Sequence, residues 1–338
     1  MPDHPPHRNG AFDALDPQTV FAAVEQAFGV QLDGSLERYR SYVNRVYGLR
    51  ADSGAEYVVK FYRPGRWDET ALEAEHDFVL ECAAAELPVV APLVAPDGWS
   101  LQHLDVAVGE HTHSYPFALY PKHGGRGFDA EGDEDWFRLG ALAGRIHRIG
   151  ATAPAPERLR CTPTGSTSDF VAQLDALQVV HAEVAQEFFA LAAQGIELIA
   201  PLFEGVALQR IHGDLHRGNV LERGNEGLLL IDFDDMMMGP PVQDLWLLLP
   251  DRAEAAGREL THIIDGYSQF AELEPSSLRL IEPLRFMRML YYLAWSALQS
   301  KDYDFHNDAD GWGSRAFWIR EVEDLRTQLQ YVVAAVRG

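Results

Sequence analysis

The sequence HGDLHRGNVL at residues 212–221 is the stretch of this chain that says most about its fold. It places Asp214 and Asn219 five residues apart in a segment that also contains two glycines. An aspartate in such a loop can accept a proton or orient a hydroxyl group, and the amide oxygen of an asparagine can bind a hard cation. The segment therefore predicts a site that handles a hydroxyl group beside a metal ion.

Asp232 extends this predicted site, because it stands at the end of the apolar stretch GLLLIDF, residues 227–233. Such a stretch is typical of a short buried strand, and a strand end fixes the side chain that follows it. Asp214, Asn219 and Asp232 together form an all-oxygen set that suits Mg²⁺ and leaves a spare carboxylate. The loop alone is also compatible with a plain turn, since Asp and Asn favour turns. Lys60, in an apolar strand upstream, makes that simpler interpretation much weaker.

Zinc and disulfide chemistry are not indicated by the histidines and cysteines. His212 and His216 have no third partner at zinc spacing, so His212 is interpreted as a packed core residue. The chain has two cysteines, Cys82 and Cys161, which are too few for a disulfide framework and favour a reducing compartment.

The composition is that of an ordinary globular protein and excludes several classes of partner. The chain has 338 residues, 47% of them hydrophobic, and a formal net charge of −23. An acidic protein repels nucleic acid and anionic membranes, so neither is an expected partner. The N-terminus lacks a signal-peptide pattern, and the most apolar segment, 284–298, is short for a membrane span and contains two arginines. We therefore expect a cytoplasmic protein, and a monomer.

The periodicity of apolar residues predicts a strand-rich first part and a helical second part. The predicted helices are 17–29, 69–85, 134–149 and 169–194, and the predicted strands include 38–50, 56–62, 89–94, 99–108 and 117–120. The expected organisation is a flexible tail at 1–16, a small β-rich N-lobe at 17–120, a hinge at 121–127 and a larger helical C-lobe at 128–338. The fold class is α+β.

Several motifs together resemble one known family. An Asp-x4-Asn loop followed by a second Asp resembles the catalytic loop and metal-binding aspartate of kinases, and its HGD opening resembles the aminoglycoside-phosphotransferase branch. Further segments are similar to the bacterial stress response kinase A family, whose members are Ser/Thr protein kinases: SYVNRVY (41–47), VVKFYRP (58–64), GPPVQDLW (239–246) and IEPLRFMRMLYYLAW (281–295). The resemblance covers nearly the whole chain and implies a two-lobed, protein-kinase-like fold of the aminoglycoside-phosphotransferase type.

The resemblance also implies roles for individual residues. Asp214 matches the catalytic aspartate, while Asn219 and Asp232 match the Mg²⁺ ligands; Asp232 thereby also belongs to the catalytic set. Lys60 matches the lysine that holds the α- and β-phosphates of ATP. Asp244 resembles the aspartate that supports the catalytic loop from the following helix.

Further nucleotide-binding residues are expected in the N-lobe. A lysine in an apolar strand is costly unless paired, and Glu75 is the best candidate partner, with Glu73 as the alternative. Ser41 lies in the segment that corresponds to the phosphate-covering turn, although that segment is not a GxGxxG loop. Tyr120 and Lys122 belong to the hinge, which is expected to meet adenine through its backbone.

The resemblance implies an ATP- and Mg²⁺-dependent Ser/Thr protein kinase that acts in stress protection, with itself among its possible substrates. A kinase of small molecules, such as aminoglycosides, amino alcohols or sugars, is the alternative, because the same loop serves that chemistry. The acidic run at 301–310 would attract a cationic substrate, although a solvated loop is the favoured interpretation. A pseudokinase is the third hypothesis. Only 12 residues separate Asp232 from Asp244, which leaves no room for a long activation loop.

Overall fold

The computed structural model describes residues 12, 14–39, 41, 43–108, 111–300 and 311–337. The acidic run at 301–310 and most of the predicted tail at 1–16 lie outside the described residues. The rest forms two compact units, one made from the described parts of Met1–Gly127 with Leu221–Ile231, the other from Phe128–Val220 with the described parts of Asp232–Gly338.

In chain order, the described helices and strands are α1 (Pro17–Phe28), β1 (Leu32–Tyr39), β2 (Arg45–Ala51), β3 (Glu56–Phe61), α2 (Glu69–Ala84), β4 (Gln102–Val108), β5 (His111–Pro121), β6 (Arg126–Gly127), α3 (Asp133–Gly150), α4 (Ser168–Ala176), α5 (Ala185–Ile199), β7 (Gln209–Ile211), β8 (Val220–Glu222), β9 (Leu228–Leu230), β10 (Met237–Gly239), α6 (Val242–Leu247), α7 (Gly257–Tyr267), α8 (Ile281–Gln299) and α9 (Arg315–Arg337).

The first unit is built on a five-stranded antiparallel sheet with the strand order β1-β2-β3-β5-β4. Alternation along β3 decides which side chains face which layer. Val59 and Phe61 are fully buried in the core that the sheet shares with α1. Lys60 therefore points to the opposite face, where Ala118 of β5 and Leu72 of α2 belong to a second apolar cluster. This arrangement places the strand lysine on the side of the sheet that α2 covers.

The second unit is mainly helical. Its core is formed largely by α5, α8 and α9, whose contact includes the rings of Phe188 and Trp318 at 5.5 Å. Helix α8 is the central element, since buried apolar residues occur along its whole length, although Tyr292 and Leu298 are exposed. The sequence-based interpretation of the apolar segment 284–298 as a core helix is therefore confirmed. In the described part of the chain, no helix is both long enough and apolar enough to cross a membrane.

Several predicted elements differ from the structure for local reasons. The predicted strand at 89–94 is wrong, because Val89 makes only a single bridge to Leu230. The predicted helix at 169–194 is divided into α4 and α5, and Gln178 between them adopts a positive φ of 52° that no helix can continue through. Residues 221–231 group with the first unit rather than with the helical part of the chain, since β8 pairs with β6 and Leu230 meets Val89.

Candidate active site

The loop that follows β7 is held by one buried carboxylate. Asp244, in the first turn of α6, accepts hydrogen bonds from the backbone N–H of His212 at 2.8 Å and of Gly213 at 2.9 Å. Its Oδ2 also lies 2.8 Å from Nε2 of His147 on α3. The carboxylate is fully buried, so these partners replace the water that it loses on folding. The supporting role expected for Asp244 is confirmed by these contacts.

Gly213 is required by the same turn. Its φ is +84°, and a Cβ atom at this position would lie 2.0 Å from the carbonyl oxygen of Asp235. Glycine therefore permits both the left-handed backbone and the close approach of the segment that begins at Asp232. Because residue 213 is a glycine, the loop after β7 can pack directly against the loop before β10.

Asp214 lies next to this glycine and faces a cation. Its Oδ1 accepts a short hydrogen bond from Nη2 of Arg288 on α8, and Nη1 of Arg288 donates to the carbonyl oxygen of Gly213 at 3.3 Å. The other carboxylate oxygen, Oδ2, is 3.5 Å from Nε2 of His216. Burial raises the pKa of the Asp214 carboxyl, and the Arg288 guanidinium opposes that rise by stabilising the ionised form.

Asn219 is oriented by the backbone of Asp214. Its Nδ2 donates to the Asp214 carbonyl oxygen at 2.9 Å, and the residue is buried. Because the amide nitrogen is committed to this bond, the side-chain oxygen is turned away from it as an acceptor. Asp232 has a positive φ of 64°, and it begins the turn at 233–235. Non-glycine residues with such backbone conformations are concentrated at functional sites.

The donor set of Asn219 and Asp232 fits Mg²⁺. An amide oxygen and a carboxylate are hard ligands, and Mg²⁺ takes few ligands from a protein because phosphate oxygens and waters complete its octahedron. Among the described residues, no three or more His, Cys, Asp and Glu side chains cluster in a way that could hold a metal ion. Binding of Mg²⁺ by Asn219 and Asp232 stays a prediction.

The segment after Asp232 is braced from two directions that the sequence did not reveal. Arg158 is buried and donates to the carbonyl oxygens of Met236 at 2.7 Å and Asp234 at 2.6 Å. The hydroxyl of Tyr291 donates to Oδ1 of Asp235 at 2.6 Å. Arg158 lies in a loop rich in Pro, Thr and Ser, where no motif marked it. The family-like segment at 281–295 contains both Tyr291 and Arg288, but its apolar pattern indicated only core packing.

The first unit contains the predicted lysine and its partner. Nζ of Lys60 is 3.9 Å from Oε1 of Glu75, and their side chains are 11% and 2% exposed. This contact selects Glu75 over Glu73 as the ion-pair partner. Lys60 also lies 5.0 Å from the ring centre of Tyr62, whose hydroxyl is 2.7 Å from Nε2 of His76. The lysine is therefore held by an anion and an aromatic face.

The remaining predicted nucleotide-binding residues have structural contacts of their own. Ser41 Oγ accepts a hydrogen bond from the N–H of Asn44 at 3.2 Å, within the turn that precedes β2. Tyr120 lies near the end of β5, and its hydroxyl lies 2.9 Å from that of Tyr62. The backbone N–H of Lys122 donates to the carbonyl oxygen of Glu56 at 3.0 Å. Contact of Lys122 with adenine would therefore have to use its carbonyl oxygen, and the nucleotide roles of all three stay predictions.

A pocket lies in the second unit, and one of its lining residues, Arg288, contacts Asp214. Helix α8 supplies Arg288 and Tyr291 to its wall, which connects the pocket to the two aspartates that these residues contact. The lining also includes the side chains of Phe170, Thr167 and Cys161. Burial raises the pKa of the Cys161 thiol to about 12, so this group is neutral at ordinary pH.

Known proteins resemble this chain along most of its length. The family model described as "Phosphotransferase enzyme family" matches residues 35–281. Stress response kinase A of Escherichia coli K12 is 33% identical over 316 residues, covering 92% of this chain and 91% of its own. Serine/threonine protein kinase RdoA of Salmonella typhimurium LT2 is 32% identical over 329 residues, with the same coverage of both chains.

The structure of amicoumacin kinase hAmiN, in complex with AMP-PNP, Ca²⁺ and Ami, is also similar. Its TM-score is 0.74 over 93% of this chain and 94% of that chain, at 19% sequence identity. At this identity the likeness concerns the fold, and it confirms the predicted α+β fold of the aminoglycoside-phosphotransferase type.

Proposed function

The chain belongs to the phosphotransferase enzyme family, and on that premise we propose that it is a Ser/Thr protein kinase that uses ATP and Mg²⁺. The resemblance to the stress response kinase A family is confirmed by the curated relatives, two of which are named above. Their names support a role in a stress response and a protein substrate.

The observation that carries the proposal is the internal geometry of the loop at 212–219. The side-chain amide of Asn219 is hydrogen-bonded to the backbone of Asp214, and the carboxylate of Asp244 accepts hydrogen bonds from the backbone of the same loop. The predicted base Asp214 and the predicted metal ligand Asn219 are thereby held in a fixed relation to each other. Phosphoryl transfer needs this kind of preorganised positioning, because the protein itself forms no covalent bond in the reaction.

In the proposed reaction, the Asp214 carboxylate orients the acceptor hydroxyl and takes its proton. The hydroxyl oxygen forms a bond to the γ-phosphorus while the bond to the β-phosphate oxygen breaks, and ADP leaves. Asn219 and Asp232 would hold Mg²⁺, which neutralises charge on the phosphate oxygens. Lys60, held by Glu75, would bind the α- and β-phosphates.

A kinase of small molecules is the second candidate function. The observation that favours it is the pocket next to Arg288, because mainly apolar walls with a few polar groups are typical of small-ligand sites. The name of the structurally similar amicoumacin kinase is compatible with this alternative.

The test is transfer of labelled γ-phosphate from ATP with Mg²⁺. The acceptors would be the protein alone, a generic Ser/Thr-rich protein, and a panel of aminoglycosides and amino alcohols. Label on protein Ser or Thr supports the proposal, and label only on a small molecule replaces it with the second candidate. An absence of transfer with every acceptor, together with no thermal stabilisation by Mg-ATP, would favour a pseudokinase.

We expect Lys60→Met to raise the KM for ATP by about tenfold or more, because it removes one charge-assisted contact worth roughly 1.5–3 kcal/mol. The measurement is the dependence of the transfer rate on ATP concentration. Arg50→Met is a matched control on the neighbouring strand β2, since Arg50 is exposed and pairs only loosely with Asp33 at 3.9 Å. An unchanged KM in Lys60→Met would remove this residue from the nucleotide site.

We expect Asn219→Ala to weaken the response to Mg²⁺, because only Asp232 would remain as a ligand from the predicted pair. In thermal unfolding with ATP, the Mg²⁺ concentration at half-maximal stabilisation should rise by about tenfold, which corresponds to roughly 1.4 kcal/mol. Chelation with EDTA should abolish the stabilisation of the unaltered protein. Asn225→Ala, in the exposed turn before β9, is the control, and an equal Mg²⁺ response in both variants would contradict the assignment.

A further inference from the structure

Arg288 places a fixed positive charge at the boundary between Asp214 and the pocket. It lines the pocket, and its side chain is 26% exposed. Two of its five N–H groups are used by Asp214 and Gly213, and the hydrogen bonds found among the described residues leave the others uncommitted. A guanidinium presents its donors in a planar fork that matches a carboxylate.

The remaining wall of the pocket carries no opposing charge. Among the described lining residues, none is an aspartate or a glutamate, and Arg288 is the one group with a permanent charge. The nearby Asp235 is engaged by the hydroxyl of Tyr291. A polycation in this pocket would meet the guanidinium, and the nearby carboxylates of Asp214 and Asp235 are already engaged by Arg288 and Tyr291. Such an arrangement is unfavourable for a cation in a partly buried site.

We infer that Arg288 determines acceptor specificity, by binding a carboxylate that lies close to the hydroxyl group to be phosphorylated. In a protein this carboxylate would come from an acidic residue next to the target Ser or Thr; in a small molecule it would belong to a hydroxy acid. Nη2 of Arg288 contacts Oδ1 of Asp214, so the acceptor hydroxyl would be oriented by Oδ2, which also lies 3.5 Å from Nε2 of His216. The inference rests on the proposed phosphotransfer and specifies its substrate class.

The negative net charge of the chain makes the positive charge of Arg288 more important for binding an acidic acceptor. Its net charge of −23 repels an acidic acceptor at long range, so binding depends on a cation within the site. Arg288 is suited to this role because its own position is fixed by a backbone carbonyl as well as by the aspartate. It is a specificity-determining residue, in contrast to Arg158, which is not among the residues that line the pocket.

The experiment compares acceptors that differ only in charge near the hydroxyl. Three serine peptides of equal length would carry Glu, Gln or Lys on both sides of the serine, and N-acetylserine would be compared with its amide to represent the small-molecule source. The unaltered protein should use the Glu peptide with a kcat/KM at least tenfold above the Gln peptide, and the Lys peptide least. A preference confined to N-acetylserine would identify a small hydroxy acid as the source of the carboxylate.

Arg288→Met should reduce the Glu-to-Gln ratio to less than threefold, mainly through KM, and Arg288→Lys should restore part of it. Arg315→Met is the control, because it removes an exposed guanidinium that pairs with Glu183 and should keep the ratio. A preference for Lys, a ratio that survives Arg288→Met, or ATP hydrolysis without transfer to any of these acceptors would overturn the inference. Absence of both transfer and ATP hydrolysis would instead refute the proposed function.

Discussion

Asp214→Asn is expected to lower phosphoryl transfer by about 10²–10⁴-fold, the range typical of a lost general base. The substitution keeps the shape of the side chain and the backbone bond to Asn219, but the amide cannot take the proton of the acceptor hydroxyl. Arg288 would then face a neutral group in place of an anion. The rate should be measured with saturating Mg-ATP and a protein acceptor.

ATP binding should change little in this variant, because Asp214 is not itself among the residues predicted to hold the phosphates. The ATP-induced rise in Tm therefore provides the matched readout. Asp265→Asn, an exposed aspartate on α7, controls for the loss of one negative charge from the same unit. A transfer rate within threefold of the unaltered protein would show that Asp214 is not the base.

Asp244→Ala is expected to lower the free energy of unfolding by roughly 3–5 kcal/mol, and to abolish most activity as a consequence. The carboxylate is fully buried and serves two backbone N–H groups and the ring of His147. Its removal would leave these groups without their partner in a place that water does not reach, at a cost of about 1–3 kcal/mol for each unsatisfied group. These costs are not additive, because the three partners share one site.

Urea denaturation of Asp244→Ala beside Asp265→Ala would measure the difference. The control should stay within about 0.5 kcal/mol of the unaltered protein, as exposed substitutions do. A variant of Asp244 with the stability of the control would mean that water or a rearranged loop satisfies the three donors. The two aspartates thus separate the contributions: Asp214→Asn should reduce chemistry at nearly constant stability, whereas Asp244→Ala should reduce both.

The motif around Asp214 could be interpreted from the sequence because its geometry is local. Asp214 and Asn219 are joined by a hydrogen bond within five residues, and the turn requires Gly213 for its positive φ. The strand that contains Lys60 was likewise predicted from local pattern, and the need of a buried lysine for a partner followed from its residue type alone. The predicted strand at 89–94 failed because it is a short apolar run, for which periodicity is a weak signal.

Other features could not be obtained in this way, because they depend on which helix packs where. Glu75 and Glu73 are equivalent by composition, and only the orientation of α2 against the sheet decides that Glu75 reaches Lys60. Arg288 is 74 residues from Asp214, and Arg158 is 76 residues from Asp234. Within the apolar pattern of α8, an arginine at a partly buried position gave no sign of its partner.

By itself, then, the sequence indicated which groups are available: an aspartate predicted to be catalytic, oxygen donors predicted to bind a hard cation, and a lysine in a strand. The tertiary structure alone decided the electrostatic environment of these groups. Packing of α8 brings Arg288 into contact with Asp214, which is 74 residues away in the chain. Packing of α6 brings Asp244 into contact with the backbone of His212, which is 32 residues away. The interaction energy and the pKa of a charged group depend on its burial and on its neighbours, and both are properties of the packed chain.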